Sequence, residues 1–235
     1  MGTSTYTQAP PLWRGGALPI RIYQSSIRFL KARMDKPPLP HNPVHSRQPG
    51  PVITVSGPHG TGKSTYALAL AEALRLRYVS AGKLFRDLAK ERGISLEALG
   101  EIAAMNPAVD RMIDERTKLE AQKGGVVIDA QLGAWMVKEI ADVKVLVLAS
   151  DEVRFKRISQ RDRVSQTEAR KQTMARETIQ VRRYKKYYGV DVTDTSIYDL
   201  RVDTSIYPIE KAKTIIIEGV QRLLSRNQLT GAAFG

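Results

Sequence analysis

The sequence predicts an α/β protein with a parallel β-sheet. Short apolar stretches alternate with longer segments of helical periodicity from residue 51 onward, and that alternation is typical of βαβ units. One of the stretches, VKVLVLA at 143–149, is apolar almost throughout, as expected of a strand that is covered on both faces. A third observation is the glycine-rich segment at 57–64, which lies between a strand pattern and a helix pattern.

The elements follow from this periodicity in chain order. The predicted strands are Val52–Ser56, Arg77–Ser80, Val126–Ala130, Val143–Ala149 and Asp199–Asp203. The predicted helices are Lys63–Arg75, Lys83–Arg92, Ser95–Met105, Ala108–Lys123, Asp151–Arg161, Ser165–Tyr187 and Pro208–Ser225. Two helix starts carry a further signal. Ser165 and Glu168 fit a capping box, and Pro208 lacks the N–H that is left unpaired at a helix start.

The composition of the 235-residue chain excludes several kinds of site. Without any Cys, the chain has no disulfide, no Cys-ligated zinc and no thiol nucleophile. No apolar run approaches the roughly 18 residues that a membrane span needs, so we expect none. The net charge of +13 favours anionic partners. These are either nucleic acid or phosphorylated small molecules, and charge alone does not choose between them.

Residues 1–49 differ from the rest of the chain. They are rich in Pro and Gly and carry seven Lys and Arg against one acid, so we expect an extension that is mostly disordered. A short basic amphipathic helix is predicted within it, because its apolar residues recur every three or four positions at Ile20, Tyr23, Ile27, Leu30 and Met34. Such a helix fits a transit peptide, a surface-binding segment or a docking segment. A plain disordered tail, or a translation start at Met34, is the alternative.

The segment GPHGTGKS at 57–64 satisfies the pattern G-x-x-x-x-G-K-[ST] in full. Its glycines allow successive backbone N–H groups to point inward, and the helix that follows presents unpaired N–H groups and a positive dipole end. The segment therefore predicts a nucleoside triphosphate site rather than an empty turn. The predicted ATP-binding residues are Gly57, Pro58, His59, Gly60, Thr61, Gly62, Lys63, Ser64 and Thr65. Ser64 is also the predicted ligand of Mg²⁺.

A second motif follows the second predicted strand. Ser80, Gly82 and Arg86 have the spacing S-x-G-x-x-F-R, which resembles the entry to the acceptor-binding segment of nucleoside monophosphate kinases. In those enzymes an Arg about one turn into the helix holds the phosphate of the acceptor. The planar guanidinium suits that task better than an ammonium group does.

Longer stretches resemble the archaeal-type cytidylate kinases. The resemblance covers roughly Pro51 to Leu224, and its most specific pieces are Arg176-Glu177, Arg183-Tyr184, YGVD at 188–191 and DTSIYDLRVDTS at 194–205. It implies a P-loop nucleotide kinase fold over residues 50–235 with a five-stranded parallel sheet flanked by helices. Residues 83–123 would form a helical NMP-binding insert and residues 157–180 a lid.

The resemblance also implies an activity. We expect Mg²⁺-dependent transfer of the γ-phosphate of ATP to CMP, and to dCMP, giving ADP and CDP. The partners are then small-molecule nucleotides, and neither a membrane nor a nucleic acid is required. A cytoplasmic monomer is the expectation taken from the family.

The predicted catalytic residues are Lys63, Arg161, Arg176 and Arg183. Arg157 and Arg161 are four residues apart, and Arg176 and Arg183 are seven apart, so each pair shares one helix face. Directed inward, these arginines would neutralise the transferring phosphoryl group, whose charge is spread over its equatorial oxygens. No side-chain nucleophile is needed, because a phosphate oxygen of the acceptor attacks. The lid must close to keep water out.

The predicted acceptor-binding residues are Ser80, Gly82, Arg86, Asp110, Asp114, Asp129 and Gln131. Asp110 and Asp114 lie four residues apart on one helix face, where a carboxylate would accept from the exocyclic amine of cytosine. Pairing of these two acids with Arg111 and Arg116, or capping of the insert, is the alternative.

Two of these residues have further alternatives. Asp129, at the end of the third strand, is predicted to hold a Mg²⁺-bound water or to orient the P-loop, and satisfying a helix terminus is the other interpretation. Gln131 departs from the family, many members of which have Arg two residues after this acid. Gln brings no charge, so more of the acceptor phosphate would depend on Arg86.

Two rival functions remain open on the sequence. One is a kinase of the same architecture with another acceptor, such as AMP, UMP or a shikimate-like alcohol. The other is an RNA-associated protein that uses the P-loop as a nucleotide switch, which the net charge of +13 favours. Against the second, the chain has no basic motif interleaved with aromatic residues of the RNA-binding kind.

Overall fold

The computed structural model describes residues 50–232, apart from the side chains at positions 97, 228 and 230–232. Its strands are β1 (Val52–Ser56), β2 (Arg77–Ser80), β3 (Val126–Asp129), β4 (Val143–Leu148) and β5 (Leu200–Asp203). They form one parallel sheet in the order β2-β3-β1-β4-β5. From β1 the chain crosses to the edge strand β2, returns to β3 beside β1, and then crosses to β4 and β5 on the other side. The carboxyl end of β1 therefore lies at the switch point where ligands bind in such sheets.

The helices cover the sheet and extend from its carboxyl edge. They are α1 (Lys63–Leu74), α2 (Ala81–Arg92), α3 (Leu96–Met105), α4 (Pro107–Gln122), α5 (Gly133–Met136), α6 (Asp151–Asp162), α7 (Gln166–Tyr188) and α8 (Ile209–Ala232). The five predicted strands and seven predicted helices are confirmed. The short helix α5 was not predicted, because four residues are too few to show a helical period. The predicted end of α8 at Ser225 was wrong, since the helix continues to Ala232.

Strand β1 is fully buried, because an apolar layer covers each of the two faces of the sheet. On one face Ile53 and Val55 pack with Leu70 of α1 and Ile216 of α8. The other face of the sheet packs against α4 and the segment around Val137. Because β1 contacts helices on both faces, all five of its residues are buried, as the apolar strand patterns predict.

The segment from α2 to α4 has a core of its own. Leu88, Leu99, Ala103, Val109 and Ile113 form a separate buried cluster. This cluster corresponds to the predicted insert at 83–123, although the boundaries of the insert and of the lid at 157–180 stay predictions. The amphipathic helix predicted within residues 1–49 lies outside the described residues.

Serine side chains begin several helices. The Oγ atoms of Ser80, Ser95, Ser150 and Ser165 each accept from the backbone N–H three residues further on, which satisfies one of the unpaired donors of the first turn. The predicted capping box is formed only in part. Glu168 Oε1 accepts from Gln172 Nε2 at 2.7 Å instead of returning to Ser165. Within residues 50–232, no helix has the length and hydropathy needed to cross a membrane.

We expect the central strand to carry a large share of the stability. Ile53→Ala should lower the free energy of unfolding by about 3 kcal/mol, because it leaves a cavity in a core where Ile53 is 0% exposed. Urea denaturation followed by circular dichroism measures the change. Ile209→Ala is the matched control, since Ile209 is 53% exposed and should lose less than about 1 kcal/mol. Equal losses in the two variants would contradict this assignment of the core.

Candidate functional site

The loop from Gly57 to Gly62 is held tightly between β1, β4 and α6. A Cβ atom on Gly57 would lie 2.1 Å from the carbonyl oxygen of Val147, and one on Gly60 would lie 2.8 Å from that of Arg154. Both glycines, and Gly62, also have positive φ angles, at 146°, 81° and 91°. The loop therefore needs glycine at these positions both for its backbone conformation and for its contacts.

The backbone amides of this loop are unengaged. Among the described residues, the N–H groups from Gly60 to Thr65 donate to no main-chain or side-chain acceptor. Helix α1 begins at Lys63 with no side-chain cap and no acid in its first turn. Six consecutive donors and the positive end of the α1 dipole thus lie in one loop, and no anion within residues 50–232 satisfies them. This is the arrangement expected of a phosphate site.

Lys63 lies folded over the same loop. Its Nζ donates to the carbonyl oxygen of Pro58 at 3.1 Å, and within residues 50–232 it makes no ion pair. Burial lowers the pKa of Lys63 to about 8, and the charges of Arg176 and Arg154 act in the same direction, while Asp129 and Glu177 oppose them. The buried charge of the ammonium therefore destabilises the folded protein, and a bound anion would offset that loss of stability.

Asp129 connects the P-loop with the end of β2. Its Oδ2 accepts from Ser64 Oγ at 2.6 Å, from the Tyr78 hydroxyl at 2.9 Å and from Ser80 Oγ at 3.3 Å. The carboxylate is only 4% exposed, and burial together with Asp129 raises the pKa of Tyr78. All three partners are hydroxyls, so the alternative that Asp129 satisfies a helix terminus is wrong. The predicted orienting role is the one that matches this geometry.

The donor set fits a magnesium ion bound together with polyphosphate. Mg²⁺ takes oxygen ligands and usually keeps one or two protein groups plus water and phosphate, and Ser64 Oγ and Asp129 Oδ2 are two such oxygens 2.6 Å apart. No group of three His, Cys, Asp or Glu in the described part of the chain could hold a metal by itself. The assignment of Ser64 and Asp129 to the metal stays a prediction.

Two arginines near the loop have no partner of opposite charge. Within residues 50–232, neither Arg86 nor Arg176 makes a hydrogen bond or ion pair, and both are exposed. Burial of part of its guanidinium lowers the pKa of Arg176, and so do the neighbouring charges of Arg161, Arg86 and Arg183. The Arg86 side chain folds back toward Gly82. Its Nη1 lies 3.5 Å from the position that a Cβ atom on residue 82 would occupy. The structure thus brings Arg86 and Arg176 close enough for their charges to act on each other.

The other predicted arginines are engaged elsewhere. Arg161 binds Asp162 through Nε at 2.7 Å and Nη2 at 2.8 Å, and its side chain is 68% exposed. Arg157 donates to Thr204 Oγ1 at 3.0 Å, to Thr204 O at 2.8 Å and to Thr61 O at 3.3 Å. The expectation that this pair is directed at the phosphoryl site is therefore not met in this conformation. Arg157 holds the P-loop to the end of β5, and a catalytic role of Arg161 stays a prediction.

Arg183 and the two predicted acids join α7 to the insert. Arg183 Nε lies 2.7 Å from Asp110 Oδ2, and about a tenth of each side chain is exposed. Burial raises the pKa of Asp110 to about 6, although Arg183 opposes the shift. Asp114 accepts from the hydroxyl of Tyr188, and its pKa is raised by burial. The alternative pairing of these acids with Arg111 and Arg116 is not formed.

Gln131 and the tyrosines of α7 belong to the same contact. The Tyr184 hydroxyl donates to Gln131 Oε1 at 3.1 Å, and the Tyr187 hydroxyl donates to the carbonyl oxygen of Ala104 at 2.9 Å. The α7 tyrosines therefore bind the insert and the loop after β3. Trp135, which also follows β3, packs edge-on against Tyr198 with ring centroids 5.4 Å apart.

Sequence reasoning did not single out Arg154 and Glu177. Arg154 is 6% exposed and donates through Nε to the carbonyl oxygen of His59 at 2.8 Å. Its Nη2 donates to both carboxylate oxygens of Glu177 at 2.8 and 2.7 Å, and Glu177 Oε1 accepts from the His59 N–H at 3.0 Å. No local pattern distinguishes Arg154 from the other arginines of α6. Glu177 did lie within a stretch that carries the family resemblance.

Comparison with known proteins assigns a family to this arrangement. Residues 52–206 match the family described as the cytidylate kinase-like family. A cytidylate kinase of Staphylothermus marinus is 47% identical over 173 residues, which make up 74% of this chain and 98% of that protein. A cytidylate kinase of Aeropyrum pernix is 48% identical over 168 residues, or 72% of this chain and 98% of that protein.

Solved structures with a similar fold include two small-molecule kinases. A gluconokinase from Sinorhizobium meliloti superimposes with a TM-score of 0.53 at 17% identity, covering 79% of this chain and 99% of that one. A shikimate kinase from Acinetobacter baumannii, in complex with shikimate, gives 0.50 at 15% identity over 77% of this chain and 97% of that one. At such low identity the likeness extends to the fold alone, and it confirms the predicted P-loop kinase architecture.

The buried ammonium predicts a dependence of stability on pH. Because the pKa of Lys63 is about 8 in the folded chain and about 10.5 ordinarily, folding disfavours its charged form. Lys63→Met should therefore be more stable than the wild type at pH 7, by roughly 1–3 kcal/mol. The difference should shrink between pH 8 and 10.5, where the folded wild type releases the proton and the unfolded chain keeps it.

Urea denaturation of both proteins across pH 7 to about 10.5 measures this difference, in which the other titrating groups cancel. Lys138→Met is the control for the removal of a lysine, because the side chain of Lys138 is 60% exposed, and it should change the free energy of unfolding at pH 7 by less than about 0.5 kcal/mol. A Lys63→Met variant that is less stable than the wild type at pH 7 would contradict the desolvated ammonium.

Proposed function

Because this chain belongs to the cytidylate kinase-like family, we propose that it transfers the γ-phosphate of ATP to CMP and gives ADP and CDP. The observation that carries the proposal is the run of unengaged amides from Gly60 to Thr65 beside Lys63, whose ammonium makes no ion pair within residues 50–232. A polyphosphate supplies the acceptor oxygens that these donors lack. The rival functions are not favoured, since the relatives cited above are named cytidylate kinase.

ATP would bind with its phosphates on the P-loop. The amides of residues 60–65 and the N-terminus of α1 face the β-phosphate, and Lys63, which here donates only to Pro58 O, turns to the β- and γ-phosphate oxygens. His59 brings no charge to this site, because burial, with the charges of Arg176 and Lys63, lowers the pKa of its imidazole to about 3. The positive field at the phosphates therefore comes from the amides, the lysine and the arginines.

Arg86 and Arg176 are the groups that we assign to the transferred phosphoryl and to its acceptor. An oxygen of the CMP phosphate attacks the γ-phosphorus, the bond from that phosphorus to the bridging β,γ-oxygen breaks, and ADP leaves with the electron pair. Negative charge spreads over the equatorial oxygens during this step. Arg176 is surrounded by other cations and has no acid of its own within residues 50–232, so it is available to that charge. Arg86 provides the planar fork for the acceptor phosphate.

Ser64 and Asp129 are the residues that would hold a magnesium ion. When bound, the ion neutralises charge on the β- and γ-phosphate oxygens. Asp129 keeps Ser64 Oγ, Tyr78 and Ser80 in one hydrogen-bonded group. The protein therefore orients the Ser64 hydroxyl before the nucleotide arrives, which lowers the ordering cost of binding.

Cytosine recognition is assigned to the contact between α4 and α7. Asp110 and Asp114 lie there beside Arg183 and Tyr188, and a carboxylate accepts from the exocyclic amine that cytosine has and uracil lacks. Ser80 and Gly82 begin the helix that carries Arg86, and Gln131 accepts from the Tyr184 hydroxyl of α7. We expect dCMP to be accepted as well, and we expect the enzyme to act as a monomer in the cytoplasm.

A panel of acceptors tests the reaction. ADP release from ATP and Mg²⁺ is measured with CMP, dCMP, UMP, AMP and shikimate. We expect CMP and dCMP to give a kcat/KM at least about 10-fold above UMP and shikimate, because these two lack the exocyclic amine with which the site would pair. Adenine also carries such an amine, so the same preference over AMP is expected from the family instead. Lys63→Ala, which should fold but lose nearly all turnover, is the control for P-loop chemistry. A preference for AMP or shikimate, or wild-type rates in Lys63→Ala, would refute the assignment.

A substitution of Arg86 tests binding of the acceptor separately from binding of ATP. Arg86→Ala should raise the KM for CMP by about 10- to 100-fold, the equivalent of one lost charge-assisted contact to phosphate, while the KM for ATP changes less than about 3-fold. Initial rates with each substrate varied in turn give both constants. Arg116→Ala is the matched control, because Arg116 is an exposed arginine of the same insert and should leave both constants unchanged. If both constants rose together in Arg86→Ala, Arg86 would not be an acceptor-specific contact.

A further inference from the structure

We propose that Glu177 is a positioning residue that sets Arg176 over the P-loop: its carboxylate accepts directly from the His59 N–H and holds the His59 carbonyl group through Arg154. The inference rests on the kinase activity proposed above. It assigns a role to two side chains, Arg154 and Glu177, that need not touch either substrate.

The three residues form a closed ring of hydrogen bonds. The His59 N–H donates to Glu177 Oε1 at 3.0 Å, Glu177 accepts from Arg154 Nη2 with both oxygens, and Arg154 Nε donates to the His59 carbonyl oxygen at 2.8 Å. The backbone of one P-loop residue, His59, is thus bound at its N–H by α7 and at its carbonyl oxygen by α6. A single nitrogen, Arg154 Nη2, thus bridges both carboxylate oxygens in a charge-assisted contact, while Nε is left for the His59 carbonyl oxygen.

The ring is built into the fold rather than lying on its surface. Seven per cent of the Arg154 side chain and 22% of the Glu177 side chain are exposed. The other carboxylate on Arg154 is Asp151, whose side chain is 67% exposed. Removing the charge of Glu177 would therefore leave a buried guanidinium with only a solvated partner, which is strongly unfavourable. This burial argues for one fixed position of α7 against the loop.

A second contact fixes the same helix face. Gln180, one turn after Glu177, has its Oε1 2.8 Å from His59 Nε2. Residues three apart lie on one side of a helix, so both side chains direct the same face of α7 to His59. Arg176 immediately precedes Glu177, and its charge lowers the pKa of both His59 and Lys63. The rotation of α7 that suits Glu177 is thus the one that brings Arg176 near the P-loop lysine.

The variant E177Q tests this role in the full chain. Glutamine keeps the size and one acceptor oxygen but loses the charge that holds Arg154. We expect kcat with CMP to fall by about 10- to 100-fold and the KM for CMP to change less than about 3-fold, because the lost interaction acts on the transition state. E168Q is the matched control on the same helix, since Glu168 contacts only Gln172 with its side chain, and it should keep wild-type kcat.

A double-mutant cycle distinguishes positioning from plain stabilisation. If Glu177 acts through Arg176, then E177Q should cost no more than about 2-fold in kcat when Arg176 is already alanine. Losses that multiply in the double variant, or a wild-type kcat in E177Q, would overturn the proposal. Should E177Q fail to fold, the cycle is made with R154K and the alanine variant of Arg176 instead. A lysine at position 154 cannot hold the His59 carbonyl and both Glu177 oxygens at once.

The two proposals fail in different ways. If the wild type transfers no phosphate to CMP, the proposed function fails and the role of Glu177 in that reaction fails with it. If the wild type is an active cytidylate kinase and the cycle is multiplicative, only the positioning role fails.

Discussion

The central constraint in this structure is that the P-loop must leave its amides unused. The N–H groups from Gly60 to Thr65 can bind an anion only if no carbonyl or side chain of the protein reaches them. Glycines achieve this by letting the loop lie directly against the backbone of β4 and α6, where no Cβ fits. The bonds that fix the loop are made instead at its edges, by His59, Thr61 and Pro58. Every functional group discussed above is placed relative to that loop.

This arrangement is favourable for binding and unfavourable for stability. A desolvated ammonium, an incompletely paired helix terminus and several neighbouring guanidinium groups all destabilise the free protein. The apolar layers on both faces of β1 and the separate core of the insert offset that cost. The residues that stabilise the fold are therefore different from those that form the site. This division is usual in enzymes whose active centre is strained or charged.

The sequence predicted most of the fold, and the reasons for its failures are physical. The P-loop was recognisable because its function constrains consecutive residues, and Asp129 could be placed near Ser64 because parallel strands end at one edge. Arg154, Arg157 and Arg161 look alike in sequence, since all lie three or four positions apart on α6. Which of them turns inward is decided by the carbonyl groups of His59 and Thr61, which belong to a distant segment. Long-range contacts of this kind leave no local pattern.

Helix α7 is continuous from Gln166 to Tyr188, and its length has a consequence for how the two substrates communicate. Glu177 contacts the nucleotide loop, while Arg183 and Tyr188 contact the insert. At 1.5 Å per residue, Glu177 lies about 9 Å from Arg183 and about 16 Å from Tyr188 along the helix. We therefore expect a displacement of α7 at one contact to affect the other. Any effect that one nucleotide has on the affinity for the second would then be matched by an equal effect in return.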